Sequence, residues 1–309
     1  MALMIIAPGT KVTSWVKHLD RLEPGIDIRV WPDTGDRDEI DFALSWQHPP
    51  GEFKKYRYLK CIASLGAGVD HLLADPDLPA GVPLTRVVEH SMAQSMSEYV
   101  ILAVLNYCRQ FDDYRTDQSQ KKWQPRIPLL AADMRIGIMG LGQLGKDAAG
   151  KLSALGFTVS GWRKTPKTSD GVDCFAGAKA LDEFLSRTRI LICMLPLTPQ
   201  TKGILNHKIF DKLPAGAYVI NVARGEHLIE NDLLAALDSG RLSGACLDVF
   251  ETEPLPHDHP FWAHPKIRLT PHISSITFSR AVAPQIIENY RRSQTGQPLL
   301  NVVDPQRGY

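Results

Sequence analysis

The stretch GIMGLGQLG, residues 137–145, runs from the end of an apolar strand pattern into a helical one. It sets Gly140, Gly142 and Gly145 in the spacing G-x-G-x-x-G, with Gln143 and Leu144 inside the loop. The first glycine permits a tight turn, the second lets backbone approach a pyrophosphate, and the third allows close helix–strand packing. The helix that follows, QLGKDAAGKLSALG, would aim its free N–H groups and positive dipole end at an anion. A glycine loop alone is common turn chemistry. The strand before it and the helix and strand after it make a dinucleotide site the stronger reading.

The next strand pattern, FTVSGW, ends in GWRKTPK, residues 161–167. An acid at this point would bind the ribose 2′-OH of NAD and repel a 2′-phosphate; a cation does the reverse. Here stand Arg163 and Lys164, followed by the hydroxyl of Thr165. Arg163 can meet a phosphate bidentately and Lys164 adds a point charge. The expected cofactor is therefore NADPH, with NADP preferred over NAD. The plain alternative is a solvated cationic turn.

Outward from this loop, short apolar runs alternate with helical patterns. LMIIA, IDIRVW, DFALSW, LKCIASL and PLTRVV precede the loop; ILICML, AYVINVA, GACLDVF and KIRLT follow it. Continuous apolar strands between helices mean parallel sheets covered on both faces, the α/β class. A long apolar helix is predicted from Met92 to Gln118, with Ser91 as its N-cap, and a last helix from Phe278 to Gln294. The segment QKKWQPRIPLL breaks the first of these with Pro125 and Pro128.

The 309 residues suffice for two domains with real cores. A net charge of +1 gives no bulk attraction to nucleic acid or anionic membrane. No apolar run is long enough to cross a bilayer, and MALMIIAPGT reads as a first strand rather than a signal peptide. Five scattered cysteines share no metal-ligand spacing and point to a reducing, cytoplasmic setting. His257, His259 and His264 crowd one Pro-rich loop that reads as solvated, so no metal is expected.

Three segments after the glycine loop carry the chemistry: INVARGE, LDVFETEPLP and TPHISS. Each follows an apolar strand, at the carboxyl end where open α/β sheets bind ligands. They deliver Arg224, Glu253 and His272. Hydride transfer to a carbonyl needs an acid for the developing alkoxide, and His is the usual choice. A carboxylate beside it orients the ring and favours the protonated form. An Arg fork can hold a substrate carboxylate. Singly, each has a structural reading as surface pair, turn or strand cap; together behind a dinucleotide loop they point to an oxidoreductase.

With these three segments the chain resembles the D-isomer-specific 2-hydroxyacid dehydrogenases over essentially its full length. ASLGAGVDHLL, YCRQFDDY, LLAALDSGRLSGACLDVF and the terminal RGY narrow the likeness to the branch reducing glyoxylate and hydroxypyruvate. The resemblance implies two Rossmann-like or flavodoxin-like domains with the active site in the cleft between them. Residues 1–98 and 282–309 would form the substrate domain and 99–281 the dinucleotide-binding domain. It implies Arg224 as carboxylate binder, His272 as general acid and Glu253, rather than Glu251, as its partner. Asp248 would lie near the nicotinamide amide, with Leu195, Pro196, Val222 and Ala223 in the cofactor set. Backbone N–H groups of Ala67 and Gly68 would hold the substrate carboxylate and Trp46 would wall the pocket. Ser274 and Ser275 stand where many relatives have glycine or alanine. The expected reaction is NADPH-dependent reduction of a small 2-oxo acid, glyoxylate to glycolate or hydroxypyruvate to D-glycerate, by a homodimer. Alternatives are a bulkier 2-oxo acid of the phenylpyruvate type, or a dinucleotide-sensing binding protein like the family's corepressor relatives.

Overall fold

The computed structural model describes residues 1–165, 172–305 and 308. Pro166 and Lys167, the end of the cationic stretch, lie outside them, as do Arg307 and Tyr309 of the terminal RGY. The chain divides into two compact units, 1–92 with 277–309, and 93–276, against boundaries expected at 98 and 281.

The first unit begins β1 (Ala2–Ile6), α1 (Thr13–Leu22), β2 (Asp27–Val30), β3 (Ile40–Ser45), β4 (Cys61–Ser64), α2 (Asp70–Leu73) and β5 (Leu84–Thr85). Its described strands form a parallel sheet in the order β2-β1-β3-β4-β5. Every residue of β1, β3 and β4 is buried, as strands covered on both faces require.

The second unit carries α3 (His90–Cys108), α4 (Phe111–Ser119), β6 (Arg135–Met139), α5 (Gln143–Ala154), β7 (Thr158–Arg163), β8 (Asp173–Ala176), α6 (Gly177–Ser186), β9 (Ile190–Cys193), α7 (His207–Phe210), β10 (Ala217–Asn221), α8 (Glu230–Asp238), β11 (Leu242–Leu247) and β12 (Ile267–Leu269). Its described strands run parallel in the order β12-β11-β10-β9-β6-β7-β8. Strand order reverses between β6 and β9, the switch point at which such sheets bind ligands. Finally α9 (Ser279–Thr295) returns to the first unit and packs on α1.

Three sequence expectations change. The long helix is two: Gln110 takes a left-handed backbone, φ 55°, which ends α3 and opens α4. No glycine or proline marks that break, so the apolar pattern ran through it. Ser91 is not the cap of α3, since the helix already begins at His90. The Glu89 carboxylate instead accepts from the Ser91 N–H at 2.8 Å, serving a first-turn donor. The edge strand β8, four residues long, had no apolar run to reveal it.

Candidate active site

The strands of the second unit are parallel, so their carboxyl ends share one edge. Along it lie Arg163 at the end of β7, the glycine loop after β6, Leu195 and Pro196 after β9, and Val222 to Arg224 after β10. Asp248 to Glu253 follow β11, and His272 follows β12.

The three glycines do different jobs. Gly140 has φ +106°, and a Cβ there would lie 2.5 Å from the Met194 carbonyl oxygen. A Cβ on Gly145 would lie 2.0 Å from the Gly140 carbonyl oxygen. Both are required by the chain's own packing. A Cβ on Gly142 would meet nothing within 4 Å. Gly142 is the N-cap of α5 and no side chain caps that helix. The open approach and uncapped donors fit a pyrophosphate.

Arg163 is the last residue of β7, with its Nε and Nη1 buried and without a hydrogen-bond partner among the described residues. Buried donors left unpaired are costly, so the site suits an anion that the described residues do not supply. Lys164 and Thr165 follow it, exposed. These residues fit a 2′-phosphorylated dinucleotide.

His272 and Glu253 meet directly, Nδ1 to Oε2 at 2.8 Å. The second carboxylate oxygen accepts the Phe250 N–H at 3.0 Å. Burial pushes the Glu253 carboxyl up, but the His272 and Phe250 hydrogen bonds, helped by the charges of His272 and Arg224, hold it below its ordinary value. An ionised carboxylate only accepts, so His272 carries hydrogen on Nδ1 and turns Nε2 outward from the pair.

His272 itself has a left-handed backbone, φ 53°. A non-glycine residue there needs outside support. Asp248 gives it. The fully buried carboxylate accepts from Thr270 Oγ1 at 2.6 Å, Ile273 N–H at 2.9 Å and Ser274 N–H at 2.8 Å, and the Asp248 carbonyl accepts the His272 N–H at 2.8 Å. Tyr99 of α3 donates to Thr270, which uses its own hydrogen on Asp248. Asp248, expected beside the nicotinamide, thus visibly organises the turn that presents His272. The Ser274 contact is through backbone, so it does not depend on the serine side chain.

Arg224 sits in a loop built by residues the sequence reading passed over. Asn221 Nδ2 donates to the Arg224 carbonyl at 2.9 Å, and the Arg224 N–H donates to His227 Nδ1 at 3.2 Å. His227 then carries hydrogen on Nε2, which donates to the Pro196 carbonyl at 3.3 Å, joining the β9 and β10 loops. Gly225 seats this loop on the next: a Cβ there would fall 1.8 Å from the Phe250 carbonyl carbon. Only glycine lets the Arg224 loop lie flush on the segment leading to Glu253.

In the first unit, Ala67 and Gly68 follow β4. Ser64 Oγ accepts the Gly66 N–H at 3.1 Å and donates to the Gly68 carbonyl at 2.8 Å, shaping the turn. Trp46 follows β3 and lies on that turn, 2.9 Å from where a Cβ of Gly66 would be. The loop histidines are separated: His259 pairs with Glu230 and His264 with Asp238, and no metal-binding cluster is found among the described residues.

The profile of the D-isomer specific 2-hydroxyacid dehydrogenase, NAD binding domain, matches residues 101–274. The chain belongs to the D-isomer specific 2-hydroxyacid dehydrogenase family. Two relatives called glyoxylate/hydroxypyruvate reductase A, from Yersinia enterocolitica and Serratia proteamaculans, are each 45% identical over the whole of both chains. A D-isomer specific 2-hydroxyacid dehydrogenase from Xanthobacter autotrophicus Py2, solved with NADPH and MES, superimposes with a TM-score of 0.95 at 44% identity, covering 100% of this chain and 99% of that one. An NADPH-dependent glyoxylate/hydroxypyruvate reductase from Sinorhizobium meliloti, solved with NADP and sulfate, gives 0.93 at 38% identity, covering 100% and 99%. The dehydrogenase is thus an oxidoreductase of two α/β units. None of its described helices is long and apolar enough to cross a membrane.

Proposed function

We propose that the dehydrogenase reduces glyoxylate to glycolate and hydroxypyruvate to D-glycerate, with NADPH preferred over NADH. The paired His272 and Glu253, on the strand edge that also holds the glycine loop, carry this reading. The relatives named for these two substrates support it. NADPH held by its pyrophosphate at the glycine loop would supply the hydride for the C2 carbonyl. Gly142 and the first turn of α5 would hold the pyrophosphate, and Arg163, with Lys164 and Thr165, the 2′-phosphate. Leu195, Pro196, Val222 and Ala223 line the cofactor along the adjacent strand ends.

Arg224 grips the substrate carboxylate. In the first unit, the N–H groups of Ala67 and Gly68, for which no acceptor is found among the described residues, are free to bind a carboxylate. Trp46 limits the room beside them. Glu253 orients the His272 ring through Nδ1, so that Nε2–H gives its proton to the oxygen at C2 as charge develops there.

We infer further that the enzyme is a homodimer. On the second unit Trp123 is 99% and Ile127 89% exposed, and Leu102 and Phe111 are exposed too, apolar side chains that a second copy would cover. A cytoplasmic setting suits its five free cysteines.

Initial rates test the reading: NADPH and NADH crossed with glyoxylate, hydroxypyruvate, pyruvate and phenylpyruvate. Fast NADPH turnover on the first two is expected. Preference for phenylpyruvate, or for NADH, would overturn the corresponding part. Light scattering of the same preparation should give twice the chain mass.

A further inference from the structure

A buried titratable pair in the first unit lies outside the catalytic set. His48 Nε2 meets Asp75 Oδ2 at 3.0 Å, with side chains only 1% and 2% exposed. Asp75 also accepts the N–H groups of Gly51 at 3.0 Å and Asp77 at 2.9 Å. Burial pushes the Asp75 carboxyl up, but these backbone and His48 hydrogen bonds hold it below its usual value. An ionised carboxylate can only accept, so His48 donates from Nε2. Its Nδ1 is buried without a partner among the described residues, and burial lowers its pKa despite Asp75; the ring is the neutral Nε2–H form. The other side of the ring rests on Phe53, 4.3 Å between centroids.

Two residues before this anchor stands Trp46. Between them Gln47 holds a left-handed backbone, φ 50°, which non-glycine residues keep only when their surroundings impose it. On the near side the Trp46 N–H donates to the Ile6 carbonyl at 2.9 Å, continuing the β1–β3 pairing. On the far side His48 is fixed by Asp75. The indole between these two fixed points lies on Gly66, where a Cβ would come within 2.9 Å of Cζ3, and against the His71 ring at 4.6 Å.

We propose that His48 is a positioning residue: through Asp75 it locks the Gln47 turn so that the Trp46 indole stays pressed on the Gly66–Gly68 loop and limits substrate size. This rests on the reading that Ala67, Gly68 and Trp46 form the substrate pocket. Removing the His48 donor frees the turn and lets the indole swing away. The bulkier 2-oxo acid then gains relative to the smallest one, and NADPH binding does not change.

The test compares His48→Ala, His48→Gln, Trp46→Ala and the double variant. In His48→Ala the ratio of kcat/KM for glyoxylate to that for phenylpyruvate should fall about tenfold, the scale of a pocket-size discrimination. Gln, whose amide reaches where Nε2 stood, should restore it. On the Trp46→Ala background, His48→Ala should change the ratio no further, because the two act through one group. Independently of turnover, the ¹⁹F line of Trp46 in 5-fluorotryptophan-labelled protein, assigned with Trp46→Phe, should shift or broaden in His48→Ala and recover in His48→Gln. An unmoved Trp46 line, an unmoved ratio, or an equal effect on the Trp46→Ala background overturns the proposal. A wild-type enzyme inactive on both small acids would overturn the proposed function, and the ¹⁹F line would still decide the positioning.

Discussion

Glu253 holds His272 by its Nδ1 at 2.8 Å while its other oxygen takes the Phe250 N–H at 3.0 Å, so one carboxylate fixes the ring and the loop that delivers it. Substituting Glu253→Gln removes the carboxylate that fixes the His272 ring through Nδ1. We expect kcat to fall about 10-fold to 10²-fold. A kcat like that of wild type would show that Glu253 does not assist His272.

The same pairing gives a stability test. The folded Glu253 carboxyl titrates below its ordinary value, which the unfolded chain retains. Its contribution is therefore fully present above that ordinary value and is lost as pH falls through the lower folded one. Urea unfolding from about pH 6 to about pH 3 should show wild type losing its margin over Glu253→Gln at the acid end. A pH-independent difference would contradict the assignment.

His272→Asn should leave NADPH binding near normal and lower kcat by at least about 10²-fold, the scale of a positioned acid. Fluorescence titration with NADPH and steady-state rates separate the two effects. Normal turnover would mean that the proton comes from elsewhere.

The glycine loop predicts a split between stability and binding. Gly145→Ala forces a Cβ to 2.0 Å from the Gly140 oxygen, and Gly140→Ala combines a 2.5 Å clash with φ +106°. Both should lower Tm strongly. Gly142→Ala meets nothing, so its Tm should stay close to wild type while NADPH affinity falls. Unchanged affinity in Gly142→Ala would place the pyrophosphate elsewhere.

Arg163→Ala should weaken NADPH by about 10-fold to 10²-fold, the value of a charge-assisted hydrogen bond or two, and leave NADH little changed. The apo protein should lose no stability, because the buried Nε and Nη1 hydrogen-bond to none of its described residues. Isothermal titration with both cofactors measures the first effect and thermal unfolding the second. Equal losses for NADPH and NADH would remove Arg163 from 2′-phosphate recognition.

Sequence by itself determined the class of fold, the strand–glycine loop–helix, and the position of Arg224, Glu253 and His272 at strand ends. These are local facts. Apolar runs, glycine spacing and residue type each act within a few neighbours, and parallel strands bring their carboxyl ends to one edge whatever lies between. Only the tertiary structure decided what holds those side chains. Asp248 bonds to residues 22 to 26 positions away, His227 to Pro196, and Gly225 must be glycine because of the Phe250 backbone. The break at Gln110 and the lock of His48 on Asp75 have no local signal either. A hydrogen bond or a close backbone approach across the sheet depends on which loops the fold brings together, and residue spacing along the chain carries no record of that distance.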